Sequence, residues 1–175
     1  VLPELIAILR RLLDQVEGGP HEVLFVDDGS QDTSLAIIDQ TARIDSRFKA
    51  LSLSRNFGHQ AAISAGLDHA RGDAVVVMDG DLQDAPEAIL EFIKWYHQGY
   101  DVVYARRVRR KENIVLRACY FLFYRVLAVL SDIKIPLDAG DFGLLSRRVV
   151  EVIKSFPARI RYLRGIRTWA GFQQI

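Results

Sequence analysis

Two groups of carboxylates stand out by type and spacing. Asp79 and Asp81 are separated by one glycine, and Gln83 follows at the same interval. In extended backbone such alternate side chains point to one side, and Gly80 allows tight backbone and close approach of a ligand. Two carboxylates and an amide oxygen make a partial site for a hard cation, Mg²⁺ or Mn²⁺, with positions left for diphosphate oxygens. A cation there would act as Lewis acid on a departing nucleoside diphosphate. Acid pairs also cap and turn the chain wherever strands end, and an isolated Asp-x-Asp more often does only that.

The second group is Asp27-Asp28-Gly29-Ser30. Carboxylates accept hydrogen bonds from a nucleobase imide or a ribose hydroxyl, and Gly29 keeps the loop thin. Taken alone, the same residues read as the N-terminal turn of a helix. His59 is a candidate ligand or acid/base group, although a histidine near a helix start is more often a cap or packing residue. Basic residues fall in two runs, Arg106, Arg107, Arg109, Arg110 and Lys111, then Arg159, Arg161, Arg164 and Arg167. Such runs meet phosphates or anionic lipid heads, or form a solvated face.

These residues need elements to position them. Leu2, Leu5, Ile6, Leu9, Leu12 and Leu13 recur at helical spacing, with Pro3 in the first turn and Gly18-Gly19-Pro20 as the stop. Strands are expected at 22–26, 48–53, 74–78 and 101–104. Helices are expected from Asp32 or Thr33 to Ile44, over 60–70, over 86–98 and over 112–130. Pro136 to Asp141 reads as a loop, Phe142 to Leu145 as a short strand and Arg147 to Ser155 as a helix. Alternating strands and helices make an α/β domain, a mostly parallel sheet with helices on both faces. In such sheets ligands sit beyond the carboxyl ends of the strands, where both acid pairs fall.

Composition sets the bounds. The 175 residues make one domain with a substantial core, half of them hydrophobic and about a quarter charged. A net charge of +1 gives no global field to recruit nucleic acid. The single cysteine, Cys119, permits no disulfide framework, fits a reducing compartment and reads as a packing residue. Trp95 and Trp169 read as core or interface residues. No signal peptide is visible, and no apolar run reaches the roughly 18 residues of a membrane span. The chain starts at Val1 directly in a helical pattern, which points to a piece of a longer protein.

Taken in order, Val26-Asp27-Asp28-Gly29-Ser30 with Asp32, Leu53-Ser54-Arg55-Asn56-Phe57-Gly58-His59-Gln60, and Met78-Asp79-Gly80-Asp81-Leu82-Gln83-Asp84 resemble family 2 glycosyltransferases. Within that family they look like the polyisoprenyl-phosphate branch of dolichyl-phosphate mannose synthases and bacterial GtrB-like glucosyltransferases. Ile135-Pro136-Leu137-Asp138-Ala139-Gly140-Asp141-Phe142, with Leu144-Leu145-Ser146-Arg147-Arg148, is similar to the GtrB-like members. The resemblance covers essentially the whole chain. It implies a GT-A fold and sugar transfer with inversion, from UDP-glucose or a relative to a lipid phosphate such as undecaprenyl phosphate. The setting would be the cytoplasmic face of the cell membrane, with the membrane surface as a partner, and a homo-oligomer is left open.

The same resemblance implies roles. Asp27 or Asp28 would contact base and ribose, and Ser30, Arg55, Asp79 and Gly80 complete the substrate-binding set. Asp79, Asp81 and Gln83 would hold Mg²⁺ or Mn²⁺ and the donor diphosphate. Arg106 and Arg117 fall where the family places arginines near the acceptor phosphate, with Arg107 an alternative register for the first. Asp141 falls where it places a donor-side or catalytic acid. The 112–130 helix, with Tyr120, Phe121, Phe123 and Tyr124 beside Arg117 and Arg125, suits either a membrane interface or a core.

Departures qualify this picture. Family members begin with a strand and an acid-bearing turn that this chain lacks, and the C-terminal membrane helices usual in the branch are also absent. Two other readings compete. A haloacid-dehalogenase-like phosphatase would place its nucleophile at Asp27 but needs a second Asp where Gly29 stands. A non-catalytic nucleotide-binding scaffold would bind nucleotide and metal without transfer.

Overall fold

The computed structural model describes residues 1–106, 139–157 and 161–175, with the backbone alone at Arg106 and Ala139. Its elements run α1 (Leu2–Gln15), β1 (Val23–Asp27), α2 (Ser34–Ile44), β2 (Phe48–Ser52), α3 (His59–His69), β3 (Ala74–Val77), α4 (Ala88–His97), β4 (Val102–Arg106) and β5 (Ala139–Ser146). Two further helices follow, α5 (Arg147–Ser155) and α6 (Leu163–Trp169). Within the described residues the expected elements are present to within a residue or two, except that β5 begins three residues earlier than expected. Asp32 accepts a hydrogen bond from the Ser34 amide at 2.9 Å, which fixes the entry to α2. The 112–130 helix, Cys119 and Arg117 lie outside the described residues.

β1 and β2 pair in parallel from Val23↔Phe48 to Asp27↔Ser52. β5 lies between β3 and β4 and runs antiparallel to both, so β3 and β4 point the same way. One expectation is corrected here: Ala139, Gly140 and Asp141 are the start of β5 and not part of a loop. Gly and Asp suggest a turn locally, but pairing of Ala139 with Arg106 on β4 holds them extended. Among the described residues no strand joins β1 to β3, and α3 bridges the two pieces by packing on β1 and on α5.

Alternation along the strands divides the core into layers. Leu145 and Val102 face one way, toward Leu67 of α3, Val149, Val150 and Ile153 of α5, and Leu163 and Ile166 of α6. Their neighbours Leu144, Val103 and Phe142 face the other way, toward Phe92 of α4, whose ring lies 4.9 Å from that of Phe142. Each fully buried aliphatic side chain here contributes about 1.5–3 kcal/mol. The apolar stripe of α1, Leu5, Ile6, Leu9 and Leu12, packs on Phe48, Val23 and Phe25. Met78 and Leu82, which flank the Asp79–Asp81 turn, join the same cluster. Trp95 meets Tyr100 edge-on at 5.6 Å, whereas Trp169 is 57% exposed and touches Phe156. No helix among the described residues is long and apolar enough to cross a membrane.

One buried acid ties the sheet to α5. Asp101, before β4, accepts from Ser146 Oγ at 2.8 Å and from Arg148 Nε and Nη2 at 2.6 Å each. Those bonds, Arg148 foremost, outweigh its burial and hold the carboxyl below its ordinary range. Asp101→Ala should lower the unfolding free energy by about 2 kcal/mol in urea melts, the worth of hydrogen bonds to a charged group. Because the folded value is depressed, this stabilisation is present above the ordinary carboxyl pKa. It is lost as pH falls through the folded value, so the variant's melts should show a shallower acid limb than the parent's.

Candidate active site

The topology brings three strand ends to one rim. β5 enters where β3 and β4 leave, and Gly143 stands opposite both Val77 and Tyr104. Two residues before Gly143, Asp141 therefore comes level with the chain just beyond β3, where Asp79 sits. α3 starts at this rim with His59, and α6 lies behind it.

Asp141 is the fixed charge at the centre, its side chain 6% exposed. Arg164 of α6 grips it with two bonds, Nε to Oδ1 at 2.8 Å and Nη2 to Oδ2 at 3.0 Å. His59 Nε2 reaches Oδ2 at 3.2 Å. Burial alone would push the carboxyl up, but the Arg164 fork and His59 outweigh it and hold the value low. Asp141 is therefore a carboxylate at neutral pH with both oxygens engaged, a weak base and a strong electrostatic anchor. The Gln60 side chain adds a second tie between α3 and α6 by accepting from the Leu163 amide at 3.1 Å.

On the other side of the His59 ring, Nδ1 lies 3.7 Å from Asp79 Oδ1. The Asp79 carboxyl is pushed up by burial and by its acidic neighbours Asp81, Asp141 and Asp84, with His59 opposing. Crowded carboxylates of this kind attract a cation. Asp79 and Asp81 do not share one strand as the spacing suggested: β3 ends at Val77, and a turn takes in Gly80 and Asp81. Leu82 takes a left-handed conformation, φ 60°, unusual for a branched side chain. In that turn the backbone N–H of Gln83 donates to Asp81 Oδ1 at 3.0 Å. A Cβ on Gly80 would meet nothing nearer than Leu5 Cδ2 at 4.0 Å, so space alone does not require glycine there.

Asp79 and Asp81 offer carboxylate oxygens, the donor type a divalent cation takes, with Gln83 two residues further on. Among the described residues no three His, Cys, Asp or Glu side chains form a ready cage. A cation held by these residues would complete its coordination from substrate oxygens, as Mg²⁺ does at diphosphates.

The first acid pair has divided duties. Asp27 is buried, and its carboxylate accepts from the Ser30 amide at 3.3 and 3.4 Å. Asp28 bonds the Phe57 amide at 2.7 Å and the Gly58 amide at 2.9 Å, which straps the loop after β1 to the loop before α3. Arg55 stands exposed on that second loop with its guanidinium 4.5 Å from the Phe57 ring centroid. Arg106 ends β4 beside Ala139, at the same rim. His59, more often a cap or packing residue at a helix start, and Arg164, one of a basic run in the chain, both meet Asp141 here. Their spacing to Asp141 in the chain carries no signal, and the resemblance alone marked Asp141.

An α/β domain with acids gathered beyond its strand ends has the architecture of the GT-A glycosyltransferases. The mannosyltransferase PcManGT of Pyrobaculum calidifontis, solved with GDP-Man and Mn²⁺, matches 100% of this chain and 51% of its own with a TM-score of 0.61, at 22% identity. The chain belongs to glycosyl transferase family 2, whose model matches residues 2–154. An uncharacterized glycosyltransferase of Bacillus subtilis, YkcC, is 45% identical over 99% of this chain and 54% of its own. The bactoprenol glucosyl transferase of Shigella phage SfV is 42% identical over 87% of this chain and 50% of its own. The chain thus spans about half the length of the curated relatives it matches. Family membership displaces the phosphatase alternative.

Gly29 offers a test of the Asp28 strap. It has φ +75°, and a Cβ would lie 2.7 Å from the Asn56 amide nitrogen and 2.8 Å from the Arg55 carbonyl carbon. Gly29→Ala should cost roughly 1–3 kcal/mol in thermal unfolding. An unchanged melting temperature would show that the two loops are not so closely held.

Proposed function

We propose that this domain moves glucose from UDP-glucose to a polyprenyl phosphate, with inversion and with Mg²⁺ or Mn²⁺, at the cytoplasmic face of the membrane. What carries the proposal is the meeting of two acids at the rim of the sheet, Asp79 just past the end of β3 and the buried Asp141 of β5, on the two nitrogens of the His59 ring at 3.7 and 3.2 Å. Such a group suits a cation-bound diphosphate. The sugar and lipid are suggested by the bactoprenol glucosyl transferases at 40 to 42% identity. Mn²⁺ is the ion held by the Pyrobaculum fold neighbour.

The chemistry asks little of a general base. A phosphate monoester loses its second proton near a pKa of about 6, so the acceptor arrives as an anion. Its oxygen would attack the anomeric carbon from the face opposite the diphosphate. The bond from that carbon to the leaving oxygen breaks, and its electron pair leaves with the nucleoside diphosphate. Asp141, ionised and held by Arg164 and His59, would act by fixing these groups and the rim's field, since its oxygens are already engaged. A divalent cation at Asp79 and Asp81 would stabilise the charge on the leaving diphosphate. Asp27 and the loops strapped by Asp28 would receive the base and ribose, and Arg106 and Arg117 the acceptor phosphate.

The test uses full-length protein in membranes with radiolabelled UDP-glucose. Label should pass to an organic-extractable lipid phosphate, cease with EDTA, and fall on the order of 100-fold or more in Asp81→Ala. Transfer from GDP-mannose or UDP-galactose instead would keep the mechanism and correct the sugar. Nucleotide binding with no transfer from any donor would favour the scaffold alternative.

A further inference from the structure

Arg167 is the largest side chain in the fully buried set, with 1% of its surface exposed. Its Nε and Nη2 find no hydrogen-bond acceptor among the described residues. Its guanidinium carbon stacks 4.7 Å from the centroid of the Tyr104 ring on β4. A buried cation stacked on a ring but lacking acceptors is costly, because the ring satisfies none of its N–H groups. The group does not escape by losing its proton: burial lowers its pKa while Asp141 and Tyr104 oppose the fall, and a guanidinium stays charged.

Its position says what could complete it. Arg164 and Arg167 are three apart on α6 and so share one side of the helix. Arg164 occupies both oxygens of Asp141, and His59 adds a bond to one of them. Asp141 thus acts on Arg167 only through space. Tyr104, against which Arg167 lies, is two residues before Arg106, at the end of β4 on the site's rim. The guanidinium therefore lies against β4 two residues short of the strand's end at the rim, within the field of Asp141.

We propose that Arg167 binds a substrate phosphate, an oxyanion supplying the acceptors that Nε and Nη2 lack. The proposal deepens the glycosyl-transfer reading and rests on it for the identity of the anion, which is either the donor diphosphate or the lipid phosphate. An enclosed guanidinium pairs with an oxyanion more strongly than an exposed one, since water does not compete. The residue would then be retained for binding at the expense of the unliganded fold.

That expense makes the role testable. Full-length wild type, Arg167→Met and Arg167→Lys would be compared in detergent, by thermal unfolding with and without UDP and with and without farnesyl phosphate. KM for donor and for lipid acceptor would be measured separately. Arg167→Met should unfold at the same or a higher temperature without ligand, and lose affinity for one phosphate probe by roughly tenfold or more. A rise confined to UDP and the donor KM assigns the diphosphate, and one confined to farnesyl phosphate and the acceptor KM assigns the lipid. Arg167→Lys keeps the charge but not the planar fork and should show the same split more weakly. It serves as the test if the methionine variant fails to fold. A lower melting temperature with both affinities unchanged would overturn the proposal and leave Arg167 a packing partner of Tyr104. If wild type binds both probes yet transfers no sugar, the glycosyl-transfer reading fails, while the binding comparison still decides Arg167.

Discussion

The ionised carboxylate of Asp141 is the constraint on which the rest of the site depends. It is buried, it is charged, and it belongs to β5, which runs antiparallel to the strands on both sides of it. A carboxylate so enclosed persists only with partners, because an unpaired buried charge is far more costly than any single hydrogen bond is favourable. Its partners come from two separate helices, His59 from α3 and Arg164 from α6. Meeting that demand fixes where both helices start or lie relative to the sheet. Gln60 reinforces the same junction through the Leu163 amide. The anchor thus couples the piece of sheet carrying Asp79 to the helix that packs on the other piece.

Asp28 solves a similar problem for the β1 side with backbone donors in place of a cation. Its two oxygens take the Phe57 and Gly58 amides, which would otherwise lie open in the turn before α3. One loop therefore holds the other, and His59 follows directly from the held loop. The path from the first acid pair to Asp141 is a short chain of contacts: Asp28 to Gly58, His59 to Asp141. Asp79 touches that chain from the β3 side through the second nitrogen of the same ring.

Much of this was legible in the chain, and the parts that were not share a cause. Strands 74–77 and 102–106 announce themselves by β-branched runs, and α1 by its leucine stripe. The acids at 27, 28, 79 and 81 follow from position at strand ends. Ala139-Gly140-Asp141 misled because its local chemistry is that of a turn and its extended state comes from pairing with β4. α6 went unforeseen because Gly165 interrupts its pattern and no side chain caps its start. Arg164 and Arg167 looked like any basic run, since only the fold separates an arginine on Asp141 from one lying on Tyr104. The turn at Leu82 was hidden for the reverse reason: its backbone is held by tertiary packing of Leu82 on the α1 cluster, against the residue's own preference.

The sign of the charge changes across the rim, and the proposed reaction makes that arrangement intelligible. Asp79, Asp81 and Asp84 gather on the β3 side, while Arg164 and Arg167 line α6 behind Asp141. Both proposed substrates are anions, and bond formation requires their phosphates to come within a few ångströms of the same sugar carbon. Two unit charges 4 Å apart repel by about 4 kcal/mol at an effective dielectric of 20. A uniformly basic pocket would ease that repulsion but would hold the departing nucleoside diphosphate as tightly as the arriving one. A dissociable cation recruited by carboxylates on one side, and the fixed guanidinium of Arg167 on the other, would supply positive charge by two different means, Arg164 being already paired with Asp141. In the proposed reaction the cation could then leave with the diphosphate, while the guanidinium of Arg167 stays folded into the protein.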